Sequence, residues 1–312
     1  MRRTPPWPVR LLAIAALGVA IQLVGGCAGP SGTPEPPPVA PLDAEELRRA
    51  RPLVAFDGPG ATSGWLLMRH VVRPVIAARI GERAVPVLLD TGAGVSVIDA
   101  ALVDELGLPT RPVTAGAAGS ELVAAVGLDM RLGAVQLREV PALVLDLAPG
   151  RTAPTPVILG AQVFHELVAD FDFPHHRVAL YRRGAQRLPD GVSVGLRMMA
   201  DARAAVDVSI HGAPPRAMLL ATGAEAALSI SAAVAQAMGW SPRGEPGGEV
   251  RLRRVDLARQ SFADVTCQLR LGEDASLVDQ GLAGCVGAPL LSRFRMVVDY
   301  RQRIARFARA PG

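Results

Sequence analysis

The chain has 312 residues with 33 Lys plus Arg against 29 Asp plus Glu, and it contains no lysine, so all of its basic side chains are arginine. Functions that need a primary amine, such as a lysine-containing phosphate loop or Schiff-base catalysis, are therefore excluded. Only 4% of the residues are aromatic, which argues against a stacking surface for single-stranded nucleic acid. The length predicts two domains.

The first 26 residues have the pattern of a secretory signal. Three arginines precede the apolar run 11–24, which is short for a transmembrane span and typical of a signal-peptide core. The following Val-Gly-Gly-Cys27 resembles a bacterial lipobox. We predict a signal peptide over 1–26, a lipid anchor at Cys27 and a periplasm-facing position in the cell envelope. Without these arginines the chain is nearly neutral, so we expect no nucleic-acid partner.

A proline-rich linker is predicted over residues 27–63. Prolines are dense between residues 30 and 41, and such a composition favours an extended spacer between membrane and domain. Within the linker, the pattern of Asp43–Arg51 predicts one short helix with Asp43 as its N-cap.

The rest of the chain contains an internal repeat. The segment 85–93, with Asp90-Thr91-Gly92-Ala93, returns 131 residues later as 216–224, with Ala221-Thr222-Gly223-Ala224. Each copy leads into a predicted helix, and further landmarks agree at similar offsets. The matched positions are Asp99 and Ser231 as N-caps, Gly107 and Gly239 as C-caps, Gly160 and Gly287, and Asp172 and Asp299. We predict a duplication, with lobes at 64–184 and 192–309.

Within a lobe most patterns predict strands. Leu128, Met130 and Leu132 alternate with polar residues, and alternation resumes after a turn at Gly133. The apolar runs 85–89 and 140–145 are typical of core strands. One helix among many short strands indicates a small closed barrel in each lobe.

Asp90-Thr91-Gly92 is the motif that carries chemistry. A carboxylate at the end of a buried strand can polarise a water molecule, while the threonine locks the loop and the glycine permits a tight turn. With the glycine-rich segment 116–119, Ile158-Leu159-Gly160 and Asp170-Phe171-Asp172, this order resembles the retropepsin-like aspartic peptidases over roughly 74–183. The resemblance implies a mainly β fold of two tandem closed-barrel lobes in a pepsin-like pseudo-dimer, with one short helix per lobe.

The resemblance also implies a mechanism. Two facing aspartates share one proton, so that one acts as base towards a water and the other as acid towards a peptide carbonyl. It implies a peptide or protein substrate and no cofactor or metal. The implied site consists of catalytic Asp90, Thr91 and Gly92 and substrate-binding Ala93, Gly94, Ala118, Gly119, Thr222 and Gly223.

The second copy departs from the family because Ala221 stands where the second aspartate belongs. Three hypotheses follow. In the first, the first lobes of two molecules pair, so that two Asp90 side chains face each other in a homodimeric endopeptidase. Alternatively, the chain is a pseudopeptidase that binds extended peptides, or Glu225 supplies the missing acid. A purely structural β module is a further alternative.

The remaining candidates are three small groups. Cys267 and Cys285 are compatible with a disulfide and equally with two separate buried thiols. Adjacent His175 and His176 point to opposite faces of a strand, so we expect no metal site there. Four arginines between 251 and 259 indicate a solvated face or a site for an acidic ligand.

Overall fold

The computed structural model describes residues 40–114, 121–147, 155–186, 188–237, 248–270 and 281–309. Most of these residues form strands. The first half contains β1 Leu42–Asp43, β2 Leu53–Phe56, β3 Leu66–Leu67, β4 Val75–Ile80, β5 Arg83–Leu89, β6 Ser96–Asp99, β7 Thr110–Thr114, β8 Glu121–Leu132, β9 Val135–Leu145, β10 Val157–Leu159, β11 Val168–Asp172 and β12 Arg177–Tyr181. The second half contains β13 Val192–Gly195, β14 Arg197–Met198, β15 Ala204–Ile210, β16 Arg216–Ala221, β17 Leu228–Ser231, β18 Glu249–Leu252, β19 Val255–Leu257, β20 Gln260–Phe262, β21 Val265–Arg270, β22 Gly284–Gly287, β23 Phe294–Asp299 and β24 Ile304–Arg309.

The first lobe is a closed barrel. Its strands follow the order β8-β4-β5-β10-β6-β9, and the ring closes because β8 pairs with both β4 and β9. Leu128, Met130 and Leu132 point into the core while the residues between them are exposed, as the alternation predicts. The predicted turn at Gly133 joins β8 to β9, and Gly133 has a φ of 59°.

The second lobe repeats the centre of the first, but its described strands do not form a closed ring. In both lobes the strand before the Thr-Gly loop pairs in parallel with the strand that leads to the matched glycine. In the first lobe β5 pairs with β10, before Gly160, and in the second β16 pairs with β22, which ends at Gly287. Within the described residues the second sheet runs as an open, curled path from β18 to β20. The closed barrel predicted there is corrected to this curled sheet, because two short strands, β18 and β19, stand where the first lobe has the continuous β8.

A six-stranded sheet joins the lobes. Its order is β13-β24-β23-β11-β12-β3, with three strands from each half of the chain. The two halves meet where β11 and β23 pair antiparallel, with Ala169 opposite Val298 and Asp172 opposite Arg295. The predicted mainly β, two-lobed pseudo-dimer is thereby confirmed, although the lobe boundaries at 64–184 and 192–309 stay predictions.

Within the described residues each lobe has two short helices, one more than predicted. The helices are α1 Ala44–Arg49, α2 Ala100–Leu106, α3 Ala161–Phe164, α4 Ala232–Ala237 and α5 Ala288–Leu291, with a 3₁₀ turn at Phe173–His175. The predicted α2 is capped as expected, since Asp99 accepts a hydrogen bond from the Ala101 amide at 3.1 Å and Gly107 is left-handed. The extra α3 is buried on every side, so its sequence carries no helical polar pattern.

The predicted linker ends earlier than residue 63. Leu42 and Leu47 are buried against the first lobe, and β2 pairs with β9. The side chain of Gln162 donates to the Leu47 carbonyl at 2.7 Å. The predicted helix is present as α1, although the Asp43 side chain makes no capping bond. Buried apolar side chains, strand pairing and a side-chain hydrogen bond thus attach this segment to the first lobe, whereas Cys27 lies outside the described residues. No helix in the described ranges is long and apolar enough to cross a membrane.

Cys267 and Cys285 do not form a disulfide. Cys267 pairs with Leu228 of β17 and Cys285 with the next residue, Ser229, from the other side of that strand. Neighbouring residues of a strand point to opposite faces, so the two thiols lie on different faces of the sheet, two strand spacings apart. Burial raises the pKa of the Cys267 thiol to about 12.

Candidate active site

The Asp90 loop is held by the strand that precedes it and by β10. The Asp90 amide donates to the Leu159 carbonyl at 2.9 Å, and the Ala161 amide donates to the Ala93 carbonyl at 2.8 Å. A Cβ on Gly160 would lie 2.7 Å from the Ala93 and Val95 carbonyl oxygens. Only glycine therefore allows this close approach, which explains the apolar-apolar-Gly element seen in the sequence.

Thr91 and Thr222 lock the two lobes together directly at this loop. The Thr91 amide donates to the Thr222 hydroxyl at 3.0 Å, and the Thr222 amide donates to the Thr91 hydroxyl at 3.1 Å. Each hydroxyl also donates at 2.7 Å to a carbonyl of the opposite lobe, Thr91 to Leu220 and Thr222 to Leu89. Both threonines are fully buried, so Thr222, predicted to bind substrate, instead holds the loops together.

The Asp90 carboxylate receives one amide from each lobe. Its Oδ1 accepts hydrogen bonds from Gly92 at 2.8 Å and from Gly223 at 3.0 Å, and the residue is partly exposed. A Cβ on Gly223 would lie 2.4 Å from Oδ2. The predicted glycines are thus brought together with Asp90, and the Thr-Gly of the second lobe still serves the carboxylate of the first.

Ala221 occupies the position that corresponds to Asp90 in the second lobe. It is 1% exposed and packs in a small apolar cluster with Ala205, Leu282 and Cys285. Its methyl group lies close to the first loop, since a Cβ on Gly92 would be 2.7 Å from it. The place of the second acid is therefore filled by a methyl group.

Two arginines flank this pair of loops, and the motif analysis missed both. Arg73 lies shortly before β4 and Arg203 directly before β15, and the positive charges of both act on the Asp90 carboxylate. The signal was present in the sequence, because the repeat begins at these two arginines, 130 residues apart.

The arginines have different partners. Arg203 is buried and donates from Nε to Asp201 Oδ2 at 2.7 Å. Arg73 Nη1 lies 3.2 Å from Glu225 Oε1, across the boundary between the lobes. Glu225 is 63% exposed and makes its ion pair with Arg73, and its role as a substitute acid stays a hypothesis. Gly94 lies beside this group, since a Cβ there would be 3.2 Å from the Asp201 carbonyl oxygen.

Burial raises the pKa of Asp90 above its ordinary value. The Gly92 and Gly223 amides and the positive charges of Arg203 and Arg73 oppose that rise without cancelling it. Below the loop, the buried Tyr300 hydroxyl donates to the Thr91 carbonyl at 3.0 Å, and burial raises the Tyr300 pKa as well. The arrangement provides one carboxyl group, on a partly exposed residue, that can accept a proton or a hydrogen bond.

The remaining predicted residues lie away from this centre or outside the described ranges. Ala118 and Gly119 of the predicted flap fall outside the residues that the structure describes. His175 binds Asp172 through Nδ1 at 2.8 Å, and His176 lies in a left-handed turn. Of the arginines between 251 and 259, Arg254 binds Asp256 in an exposed ion pair.

Part of the chain is similar to a known protein family. Residues 76–163 match the model of a family described as "Aspartyl protease". No curated protein matches the chain.

Two solved structures are similar in fold. A retropepsin-like aspartic protease from Rickettsia conorii shares 15% identity over 37% of this chain and 87% of its own, with a TM-score of 0.29. An aspartic proteinase from Irpex lacteus shares 14% identity over 80% of this chain and 98% of its own, with a TM-score of 0.48. The family match contains Asp90 and Gly160, the residues that build the loop described above. Residues 76–163 of the first lobe are thus similar to the aspartyl protease family.

Proposed function

We propose that the protein binds extended polypeptide segments at the Asp90 face between its two lobes and holds them without efficient hydrolysis. The observation that carries this proposal is that Ala221 occupies the position in the second lobe that Asp90 occupies in the first. Hydrolysis of the aspartic-peptidase type divides acid and base roles between two carboxyl groups. A methyl group can play neither role, and the loss of one positioned acid lowers a rate by about 10²–10⁴.

The interlock of Thr91 and Thr222 argues against recovery of a second acid by dimerisation. Thr91 uses its amide and its hydroxyl on the second lobe of the same chain. The Asp90 of another molecule would have to displace that lobe, together with the six-stranded sheet that joins the halves. We therefore expect a monomer in solution, which light scattering of the chain without residues 1–26 would test.

Slow endopeptidase activity through Asp90 alone is the second candidate. Its support is the raised pKa and partial exposure of Asp90, which suit a general base. In this reaction a water molecule adds to the peptide carbonyl and gives its proton to Asp90. The C–N bond then breaks as the nitrogen takes a proton, and no acyl-enzyme forms.

The experiment compares wild type with Ala221→Asp and Asp90→Ala on a labelled octapeptide library between about pH 3 and 7. Cleavage is measured by mass spectrometry and binding by fluorescence polarisation. The proposal expects wild type to bind peptides and to cleave no faster than Asp90→Ala, while Ala221→Asp gains cleavage of about 100-fold or more. Ala55→Asp, at an exposed alanine of β2, is the control for an added carboxylate.

Each other outcome decides between the candidates. Cleavage by wild type that disappears in Asp90→Ala would establish the endopeptidase. If wild type neither binds nor cleaves any peptide, both functions are wrong and the structural β module remains.

We also propose that the chain is lipid-anchored in the cell envelope through Cys27, on the support of its lipobox-like sequence. The test is labelling with a radioactive fatty acid in a bacterial host. Wild type and Cys267→Ala should incorporate label, whereas Cys27→Ala should not. Equal labelling of the two variants would contradict the anchor.

A further inference from the structure

We infer that a cavity on the second lobe is a docking site for a basic segment of a partner polypeptide, at the place where the first lobe binds an N-terminal segment of this chain. The cavity is separate from the Asp90 face, so the inference does not depend on the proposed function. Three observations support it: the match between the two surfaces, the cavity itself, and the charge of its lining.

On the first lobe, a segment of the chain itself covers the surface. This segment, 42–49, is formed by β1 and α1 and is called the strap below. It buries Leu42 and Leu47, and the Gln162 side chain donates to the Leu47 carbonyl at 2.7 Å. The apolar side chains that pack with the strap are Val95, Val113, Ala124 and Leu143. The first lobe thus has a built surface for one short segment.

The register of the sheets identifies the same surface on the second lobe. Leu143 pairs with Val97, which lies three residues before α2 begins. Gln268 pairs with Ser229, which lies three residues before α4 begins. Leu143 and Gln268 therefore hold equivalent positions in the two copies.

Three further positions match by the same comparison. The pairs are Ala124 and Glu249, through their pairing with Leu143 and Gln268, then Val95 and Ala227, each five residues before the helix, and Gln162 and Pro289, each two residues after the matched glycine. The first-lobe members are all buried, whereas Glu249 is exposed and the other second-lobe members are partly exposed. Within the described residues, the second lobe therefore has the strap surface without a strap.

A cavity of about 240 Å³ lies at this surface of the second lobe. Its lining includes all four of the matched residues, Ala227, Glu249, Gln268 and Pro289. The volume is smaller than the roughly 300–1,000 Å³ of most small-molecule sites. The cavity therefore suits one or two side chains of a polypeptide that lies across the surface.

The lining differs from the first lobe in charge. Where the first lobe has two apolar side chains, Glu249 and Gln268 supply a carboxylate and an amide. Asp264 adds a second carboxylate, and neither acid forms an ion pair among the residues that the structure describes. Arg293 also lines the cavity, but its guanidinium lies over the Phe262 ring. The open carboxylates favour a cationic ligand.

A segment that fits this cavity has one apolar side chain beside an arginine or lysine. The small side chain of Ala227 leaves room for the apolar group next to the buried Leu290. The strap has such a sequence, since Leu47 is followed by two arginines. A short helix or turn that presents these side chains on one face is a common form of peptide recognition.

The experiment measures binding of the labelled heptapeptide Ala-Ala-Leu-Arg-Arg-Ala-Ala to wild type by fluorescence polarisation. Exchange of its arginines for glutamates should weaken binding about 10-fold, because ion pairs become repulsive contacts. Exchange of its leucine for alanine should weaken binding about 10-fold as well, because apolar burial is lost.

Variants of the protein test the cavity. The double variant Glu249→Ala with Asp264→Asn should bind the heptapeptide about 10-fold more weakly. Ala227→Phe, which fills the cavity, should weaken binding about 10-fold or more. The matched control is Asp190→Asn with Asp207→Asn, two exposed acids outside the cavity, and it should stay within about twofold of wild type.

A second measurement locates the peptide on wild type and stays informative if Ala227→Phe does not fold. A photoreactive benzoylphenylalanine replaces the leucine of the heptapeptide, and the crosslinked residues are identified by mass spectrometry. We expect crosslinks within 225–227, 264–268 and 289–293, the segments that line the cavity.

Four outcomes would overturn the inference. Crosslinks confined to the Asp90 loop would assign the peptide to the Asp90 face, and crosslinks to Val95 or Leu143 would show that it displaces the strap. Equal affinity for the glutamate peptide would exclude recognition of charge. Failure of wild type to bind the heptapeptide would exclude the docking site, while the proposed function, which the octapeptide library tests, would be unaffected.

Discussion

Thr91 and Thr222, which lie 131 residues apart, each donate an amide hydrogen bond to the other's hydroxyl, at 3.0 and 3.1 Å. This reciprocal contact unites the two copies of the repeat inside one molecule. It also explains why the Thr-Gly of the second copy is present although its aspartate is not. Thr222 and Gly223 still hold the Asp90 loop and its carboxylate in place, whereas the loss of the second carboxyl group affects catalysis alone.

The first prediction concerns Thr91→Val, which keeps the shape of the side chain and removes its hydroxyl. The Thr222 amide and the Leu220 carbonyl would lose their partner in a buried site. We expect the free energy of unfolding in urea to fall by about 2 kcal/mol or more. Thr110→Val, at an exposed position of β7, should change it by less than about 0.5 kcal/mol. Equal effects of the two variants would contradict the interlock.

The second prediction concerns Gly223→Ala. The added methyl group would stand 2.4 Å from Asp90 Oδ2 and 2.5 Å from its Cγ, so the carboxylate must move. We expect a loss of stability of about 1–3 kcal/mol and a loss of peptide binding. Gly195→Ala is the control, because no atom lies within 4 Å of its added carbon. Unchanged peptide binding by Gly223→Ala would show that binding does not depend on the position of the Asp90 carboxylate.

The third prediction concerns the pH dependence of stability. Because the pKa of Asp90 is raised in the folded protein, the native state binds more protons than the unfolded chain above the ordinary value of 3.8. The stability that this group contributes is present below that value and is lost as the pH rises through the raised pKa.

Asp90→Asn removes this titration while its amide oxygen can still accept the two glycine amides. We expect the variant to be more stable than wild type at pH 7 by on the order of 1 kcal/mol, with the difference shrinking towards pH 3. Urea titrations at several pH values measure it. Asp170, whose pKa is also raised by burial, is present in both proteins and cancels in the difference. A difference that does not vary with pH would contradict the raised pKa.

The fourth prediction concerns the ion pair that crosses the joining sheet. Arg295 donates from Nε and Nη2 to the two oxygens of the fully buried Asp170, at 3.0 and 2.7 Å. Arg295→Ala leaves that carboxylate without its partner, and we expect a loss of about 3 kcal/mol at pH 7. The double variant with Asp170→Ala should lose less than the sum of the single variants.

Arg254→Ala, which breaks the exposed pair with Asp256, is the matched control and should lose less than about 1 kcal/mol. If Arg295→Ala were no more destabilising than this control, the buried pair would not link the lobes energetically.

Local patterns were sufficient for much of this structure. The β8–β9 hairpin, the caps of α2 and the apolar strand before Asp90 could be predicted, because alternation, capping and turn conformation depend on residues close in the chain. The attachment of Leu42 and Leu47 could not be predicted, because it depends on which surface of the barrel is left uncovered. The buried α3 was missed for a similar reason, since a helix of four residues that is buried on every side has no period to detect.

The sequence by itself determined the duplication, the Asp-Thr-Gly loop and the loss of the second acid at Ala221, since each is a matter of residue identity at matched positions. Only the tertiary structure decided which loops face each other. It paired the two threonines within one chain, placed Cys267 and Cys285 on opposite faces of a sheet, and joined Arg73 to Glu225 of the other lobe. These relationships join strands that are distant in sequence, and their geometry is fixed by sheet register and packing rather than by any local pattern.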